Sequence, residues 1–346
     1  MIKRSKLCGL LGALALAGAV QAQAQAQTQT QTKDAVTVQL DWVVRGNHAP
    51  FFVARDKGYF AEQGIDAGTI RKGTGSTDAL RLVANGNADF GFSDLPTLMV
   101  GRSQGIANTA LVAVNQKTPL AIISVKKNFD LKSVQQLKGA NIGVHPAGST
   151  YIFLKAALAK NGISLNDIKQ STVSPPYENF LLLNRVNAVP GYIDAEVPEL
   201  EHKAGGPGSL SVLHGADLGI QSYGSGMFTA DKTIAERPDL VRRFVAAYMK
   251  GYADVIQDPG AAADSLIRNN PEYKGKKEML VAQLQADLDY TFFSAHTREH
   301  GLGWIDPAQW RATATLYKEQ GALAASFDDS KGFDTRFLQQ AGPVKR

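Results

Sequence analysis

The chain has 346 residues, 44% of them hydrophobic and 20% charged, with a formal net charge of +5; at roughly 100–200 residues per domain this predicts two lobes rather than one small core. A mean hydropathy of -0.16 argues against a multi-span membrane protein. The positive surplus gives no sign of a nucleic-acid partner, because Lys3, Arg4 and Lys6 lie in a segment expected to be removed.

Residues 1–24 read as a secretory signal peptide. A basic start is followed by an apolar run over 7–20 and by Ala-x-Ala sites, with cleavage expected after Ala22, Ala24 or Ala26. The run is too short for a membrane span. Cys8, the one cysteine, leaves with it, so the rest can form no internal disulfide and no thiolate metal site. Residues 25–35 continue the polar "AQAQAQTQTQT" run and are expected to be a disordered linker. Export places the protein in the periplasm.

From Val36 onward short apolar runs alternate with amphipathic ones. Strands are predicted at 36–40, 66–71, 88–92, 109–114 and 120–125, and helices at 50–63, 77–85 and 95–104. Gly64, Gly86 and Gly105 follow these helices, where left-handed caps are expected. A second round begins with a strand at 141–144 and a helix at 151–160. A strand ending at Val173, a helix at 177–183, and strands ending at Tyr192 and near 211–213 follow. The remainder reads as mostly helical, at 238–256, 261–268, 277–293 and 307–319, with no sheet of its own. This rhythm predicts an α/β protein with helices on both faces of its sheets. The first lobe is expected at 36–125, the second at 126–223, and 224–346 returns to the first.

Several loops fall beyond the carboxyl ends of strands, where open α/β sheets bind ligands. In the first lobe they carry Asp41, Trp42, Asn47 and His48, then Gly73, Gly75 and Ser76, then Ser93 and Asp94. In the second they carry His145, Ser149 and Thr150, then Tyr177, then Tyr192, Asp194 and Glu196. Ser76, Ser93 and Ser149 equally suit helix N-caps. Trp42 suits a core position or a half-exposed wall. His145 suits a capped turn, and Asp41 a solvated loop. No Walker loop, Gly-x-Ser-x-Gly elbow or His-Glu-x-x-His motif is present. His296 and His300 stand four apart with no third metal ligand in view, which favours a helix end capped by Gly301. No metal, cofactor or catalytic group is therefore expected.

The stretch "LDW" with "NHAPFFVARDKGYFAEQGID" after it resembles the opening of solute-binding proteins of ABC importers for nitrate, sulfonates, taurine and thiamine pyrimidine precursors. "GTGSTDALRLVANGNADFGFSDLPTLMVGRSQG", "RVNAVPGYIDAEVPELEHKAG" and "MFTADKTIAERPDLVRRFVAAYMKGYADVIQDPGAAADSLI" extend the likeness over residues 36–321. One departure is Val197, which separates Glu196 from Pro198. The resemblance implies a two-lobed periplasmic-binding-protein type II fold with an interlobe ligand cleft and two hinge crossings. It also implies a small-molecule ligand, a permease with a cytoplasmic ATPase, no membrane contact except through that permease, and a monomer. Asn47-His48 is more like the pyrimidine-precursor branch. In that branch Trp42 and Tyr192 would sandwich a flat ring, Glu196 or Asp194 would accept from its amino groups, and Asn47 and His48 would supply directional donors. Ser149 and Thr150 would hold an electronegative atom. An aliphatic sulfonate, nitrate or an aromatic acid is the alternative cargo. A secreted pyrimidine-modifying enzyme on the same scaffold, using His48 with Asp41, is the alternative activity.

Overall fold

The computed structural model describes residues 33–146, 148–173, 178–342 and 344. The expected signal peptide, the linker up to residue 32, and Tyr177 lie outside the described residues. No helix among the described residues is long and apolar enough to cross a membrane.

Strands β1 (Asp34–Gln39), β2 (Ile65–Arg71), β3 (Phe90–Asp94) and β4 (Asn108–Ala113) alternate with helices as the apolar pattern predicts. The helix expected over 50–63 is broken: it runs Ala49–Asp56 and resumes at Tyr59–Glu62. Gly58 lies between them at φ 78°, a left-handed conformation no helical residue holds. Strands β5 (Leu120–Val125), β6 (Asn141–Val144), β7 (Lys169–Thr172), β8 (Val189–Tyr192) and β9 (Leu210–His214) follow, and then β10 (Ser225–Ala230).

The first sheet has the order β2-β1-β3-β10-β4, with β1 parallel to β2 and β3, and β10 antiparallel to β3 and β4. In the second lobe β5 lies between β8 and β9, antiparallel to both. The parallel β6–β7 pair joins β8 through a bridge at Ile142 and Ala188, where Gly143 N–H donates to Ala188 O at 2.9 Å. The run is then β7-β6-β8-β5-β9. Both lobes share one plan: a parallel trio, then an antiparallel strand borrowed across the lobe boundary.

One expectation is corrected by this exchange. Sequence order suggests the first lobe for β5, but its partners are β8 and β9. The first passage between lobes therefore falls at 114–119 rather than near Val125. The segment after 224 forms no sheet of its own among the described residues; its one strand, β10, fills the gap between β3 and β4. Every residue of β10 is buried, so its sequence lacks the alternation that marks a half-exposed strand.

The return passage lies between β9 and β10, beside the first. Asn115 N–H donates to Ser225 O at 2.9 Å, and Gly224 N–H donates to Asn115 O at 2.9 Å. On the first lobe, the helix Pro238–Gln257 packs against Ala49–Asp56, with Phe244 stacked on Phe90 at 3.7 Å. Burial of each such ring contributes roughly 1.5–3 kcal/mol. This packing anchors the base of the loop that leaves β1.

Candidate functional site

The loop after β1 is an internally bonded charge cluster. Asp41 Oδ2 accepts from Arg45 Nη2 at 3.0 Å, and Asp41 Oδ1 accepts from His48 Nε2 at 2.9 Å. His48 Nδ1 faces the Arg45 backbone N–H at 3.2 Å, so Nδ1 is the acceptor and the proton resides on Nε2. Burial holds the His48 pKa below its ordinary value, which keeps the ring neutral. Burial pushes the Asp41 carboxyl up, but the Arg45 charge and the His48 bond more than offset it and leave it below the usual range. Burial opposes the charge on Arg45, yet Asp41 foremost, with Asp194, Tyr192 and Glu196, holds it firmly protonated. Asp41 thus spends both oxygens inside its own loop, one on Arg45 and one on His48.

Gly73 carries the second loop against the first, its N–H donating to Trp42 O at 3.0 Å. A Cβ there would lie 2.1 Å from Leu40 O, so only glycine permits the approach. Ser76 and Ser149 are not N-caps. The caps are Gly75 and Gly148, neither helix has a side-chain cap, and both N-termini face the cleft. Ser93 is not a cap either; Asp94 is, its Oδ1 accepting from Thr97 N at 2.9 Å and Thr97 Oγ1 at 2.7 Å. Burial raises the Asp94 pKa to about 7.

The second lobe closes over this surface. The Arg45 guanidinium lies 4.4 Å above the centre of the Tyr192 ring, a cation–π contact. Tyr192 Oη and Ser149 Oγ share a hydrogen bond at 2.6 Å, and Tyr192 N–H donates to Glu196 Oε2 at 2.7 Å. Asn47 Nδ2 donates to Asp194 Oδ2 at 3.1 Å, and His145 Nε2 meets Thr74 O at 3.1 Å. The His145 ring stands edge-on to Trp42, with centroids 5.6 Å apart. Trp42 is half-buried and packs against the second-lobe apolar cluster. Gln283, from the helix Lys277–Tyr290, accepts from Gly46 N–H at 3.0 Å and donates to Ala195 O at 3.1 Å.

The enclosed space between the lobes is about 20 Å³, bordered by Asp41, Trp42, Arg45, Gly75, Ser76, His145, Gly148, Ser149, Thr150, Tyr192 and Glu196. That volume suits about one water, so a ring-sized ligand enters only with the lobes apart. Of the candidate residues, Asn47, His48, Ser93, Asp94 and Asp194 are buried behind this border rather than on it. Arg45 is the central charge of the site, bonded to Asp41 and Asn47 and lying over Tyr192. Gln283 and Asp287 escaped notice altogether. Their signal was a spacing: Gln283 and Asp287 fall three and seven residues after Leu280, on the helix stripe that the fold buries with Leu284.

His296 and His300 serve different partners. His296 Nδ1 lies 3.7 Å from Asp306 Oδ2, and the His300 ring lies 4.6 Å from that of Trp304. Gly301 caps their helix. Among the described residues no group of three His, Cys, Asp or Glu is placed to hold a metal.

Two similar lobes, two adjacent passages and a cleft between them define a periplasmic-binding-protein type II fold. The alkanesulfonate-binding protein SsuA from Xanthomonas axonopodis, solved bound to MOPS, superposes with a TM-score of 0.65 at 17% identity, over 87% of this chain and 98% of that one. The chain belongs to the NMT1/THI5-like family, whose model matches residues 45–262. It is 28% identical to a riboflavin-binding protein, RibY, of Chloroflexus aurantiacus, over 88% of this chain and 86% of the relative. It is 25% identical to a formylaminopyrimidine-binding protein of Halalkalibacterium halodurans, over 80% and 86% of the two chains. A 4-amino-5-hydroxymethyl-2-methylpyrimidine phosphate synthase of Legionella pneumophila is also 25% identical, over 70% and 76%.

Proposed function

We propose that this chain is the extracytoplasmic binding subunit of an ABC importer and captures a small, flat, nitrogen-containing ring by closing its two lobes. The observation that carries the reading is the meeting of Trp42, Arg45 and Ser76 from one lobe with His145, Ser149, Tyr192 and Glu196 from the other around one enclosed space. Tyr192 offers a ring face, which Arg45 covers when the lobes meet. Glu196 offers an acceptor edge. The two uncapped helix N-termini at Ser76 and Ser149 suit an electronegative ring atom. An aminopyrimidine or a flavin has all three features, and relatives that bind riboflavin and formylaminopyrimidine support this cargo. The chain would be exported to the periplasm by its N-terminal segment, act as a monomer, and pass its cargo to a permease with a cytoplasmic ATPase.

Binding rather than synthesis is favoured by the state of His48. Both ring nitrogens are engaged, Nδ1 by the Arg45 N–H and Nε2 by Asp41, so neither is free to take a proton from a ligand. Calorimetric titration with riboflavin, formylaminopyrimidine, taurine, nitrate and aromatic acids tests the reading. A ring compound should bind, and mass spectrometry should recover it unchanged. Chemical conversion of the ring would establish an enzyme instead.

A further inference from the structure

The inward face of the helix Lys277–Tyr290 ends in Asp287, which is wholly buried. Asp287 Oδ1 accepts from Asn115 Nδ2 at 2.6 Å and from Thr291 Oγ1 at 2.6 Å. Its Oδ2 is buried and receives no donor. Asp194, in the second lobe, is built the same way: Oδ2 accepts from Asn47, and Oδ1 is buried without a donor. Gln283, one turn before Asp287 on the same helix, donates to the O of Ala195 next to Asp194 at 3.1 Å, which sets the two carboxyls beside each other. A carboxylate only accepts, so these two buried bare oxygens can satisfy each other only when one carries a proton. Burial raises both pKa values, that of Asp287 the further, and the neighbouring Asp194 charge adds to the rise at Asp287.

The pair stands at the middle of one polar chain. Asn115, which donates to Asp287, belongs to the first passage between lobes and accepts from Ser225 N–H of the second at 3.2 Å. Asn47, which donates to Asp194, accepts from Arg45 Nε at 3.0 Å, and Arg45 is paired with Asp41. Hinge and cavity wall thus meet where these two carboxyls lie, between the helix Lys277–Tyr290 and the second lobe.

We propose that Asp287 is a positioning residue for ligand capture: by sharing a proton with Asp194 it holds the loop around Tyr192 to Glu196 against the hinge, and closing the cleft takes up that proton. The proposal deepens the binding reading and rests on lobe closure, not on the identity of the cargo. With the lobes apart, water reaches both carboxyls and both ionise in the ordinary range. The closure constant then falls as pH rises, by about tenfold per pH unit for one proton, between the ordinary carboxylate value and the value of the closed pair. Other groups facing the pair keep their charge through this window. Arg45 stays protonated and Asp41 ionised beside Asp194, while burial holds the Tyr248 and Tyr252 phenols neutral beside Asp287. Asp94, at about 7, is the further titrating group of the first lobe.

Small-angle scattering of the full chain without ligand, from about pH 5 to about pH 9, reads closure directly. The radius of gyration should increase with pH in the wild type. Asp287→Asn supplies an N–H in place of the shared proton, and Asp194→Asn does so from the other side. Each should remove most of the pH dependence, leaving only what Asp94 contributes. If Asp287→Asn does not fold, Asp194→Asn and the wild-type profile decide. A wild-type radius that is constant with pH, or folded variants that keep the wild-type profile, would overturn the proposal. Failure to bind any ring compound would leave this measurement intact.

Discussion

The two walls of the cleft are built differently. In the first lobe Asp41, Arg45, Asn47 and His48 come from one eight-residue stretch and are bonded to one another. In the second lobe Tyr192, Asp194 and Ala195 find important partners across the seam, in Arg45, Asn47 and Gln283. One wall is preassembled and carries the fixed charge. The other presents a ring face and acceptors whose surroundings are completed when the lobes meet. Charge in a dry site is expensive to organise, so a pre-paired cluster limits the cost of each closure.

The sharpest way to break this contrast is Arg45→Ala. It leaves Asp41 buried without its cation, and the thermal midpoint should drop by the equivalent of about 3–5 kcal/mol. A loss under about 1 kcal/mol would mean the first wall is not held by charge. Asp94→Asn keeps the N-cap and removes a buried acid. The unfolded chain ionises Asp94 from the ordinary carboxylate value upward, whereas the folded one resists until about 7. Wild-type stability therefore falls as pH rises through that window. In chemical denaturation the variant should gain about 4 kcal/mol on wild type between about pH 4 and about pH 8. Trp42→Ala should weaken a stacked ring ligand by about 1–3 kcal/mol in calorimetry while sparing the fold, since Trp42 is only half-buried. Tyr192→Phe deletes the hydroxyl shared with Ser149 but keeps the ring. It should cost about 1 kcal/mol in stability and leave stacking affinity within a few fold.

Local signals made the first wall legible in the sequence. An apolar strand ends in Asp41-Trp42, Pro50 opens a helix, and the polar residues between them have nowhere else to go. Strands β5 and β6 and the helix Pro307–Glu319 match their apolar spans residue for residue. What was hidden depends on distant partners. Strand β10 is short, fully buried and flanked by glycine, and its place between β3 and β4 exists only because the chain crosses back. The helix Glu196–Ala204 was masked by Pro198, which a first turn tolerates because its N–H needs no helical partner there. Asp287 lies far along the chain from the loop it serves. Even within the first wall, Asn47 and His48 read as ligand contacts because their types invite it, but their side chains are committed to Asp194, Arg45 and Asp41.

The central claim is that the cleft closes on a flat nitrogen-containing ring. Native mass spectrometry of the protein as purified, followed by calorimetric titration of the stripped protein with flavins and pyrimidines beside taurine and nitrate, tests it most directly. The account predicts a bound ring compound that exchanges with added ring ligand and is held more weakly by Trp42→Ala. Binding of taurine or nitrate with no affinity for any ring compound would contradict it.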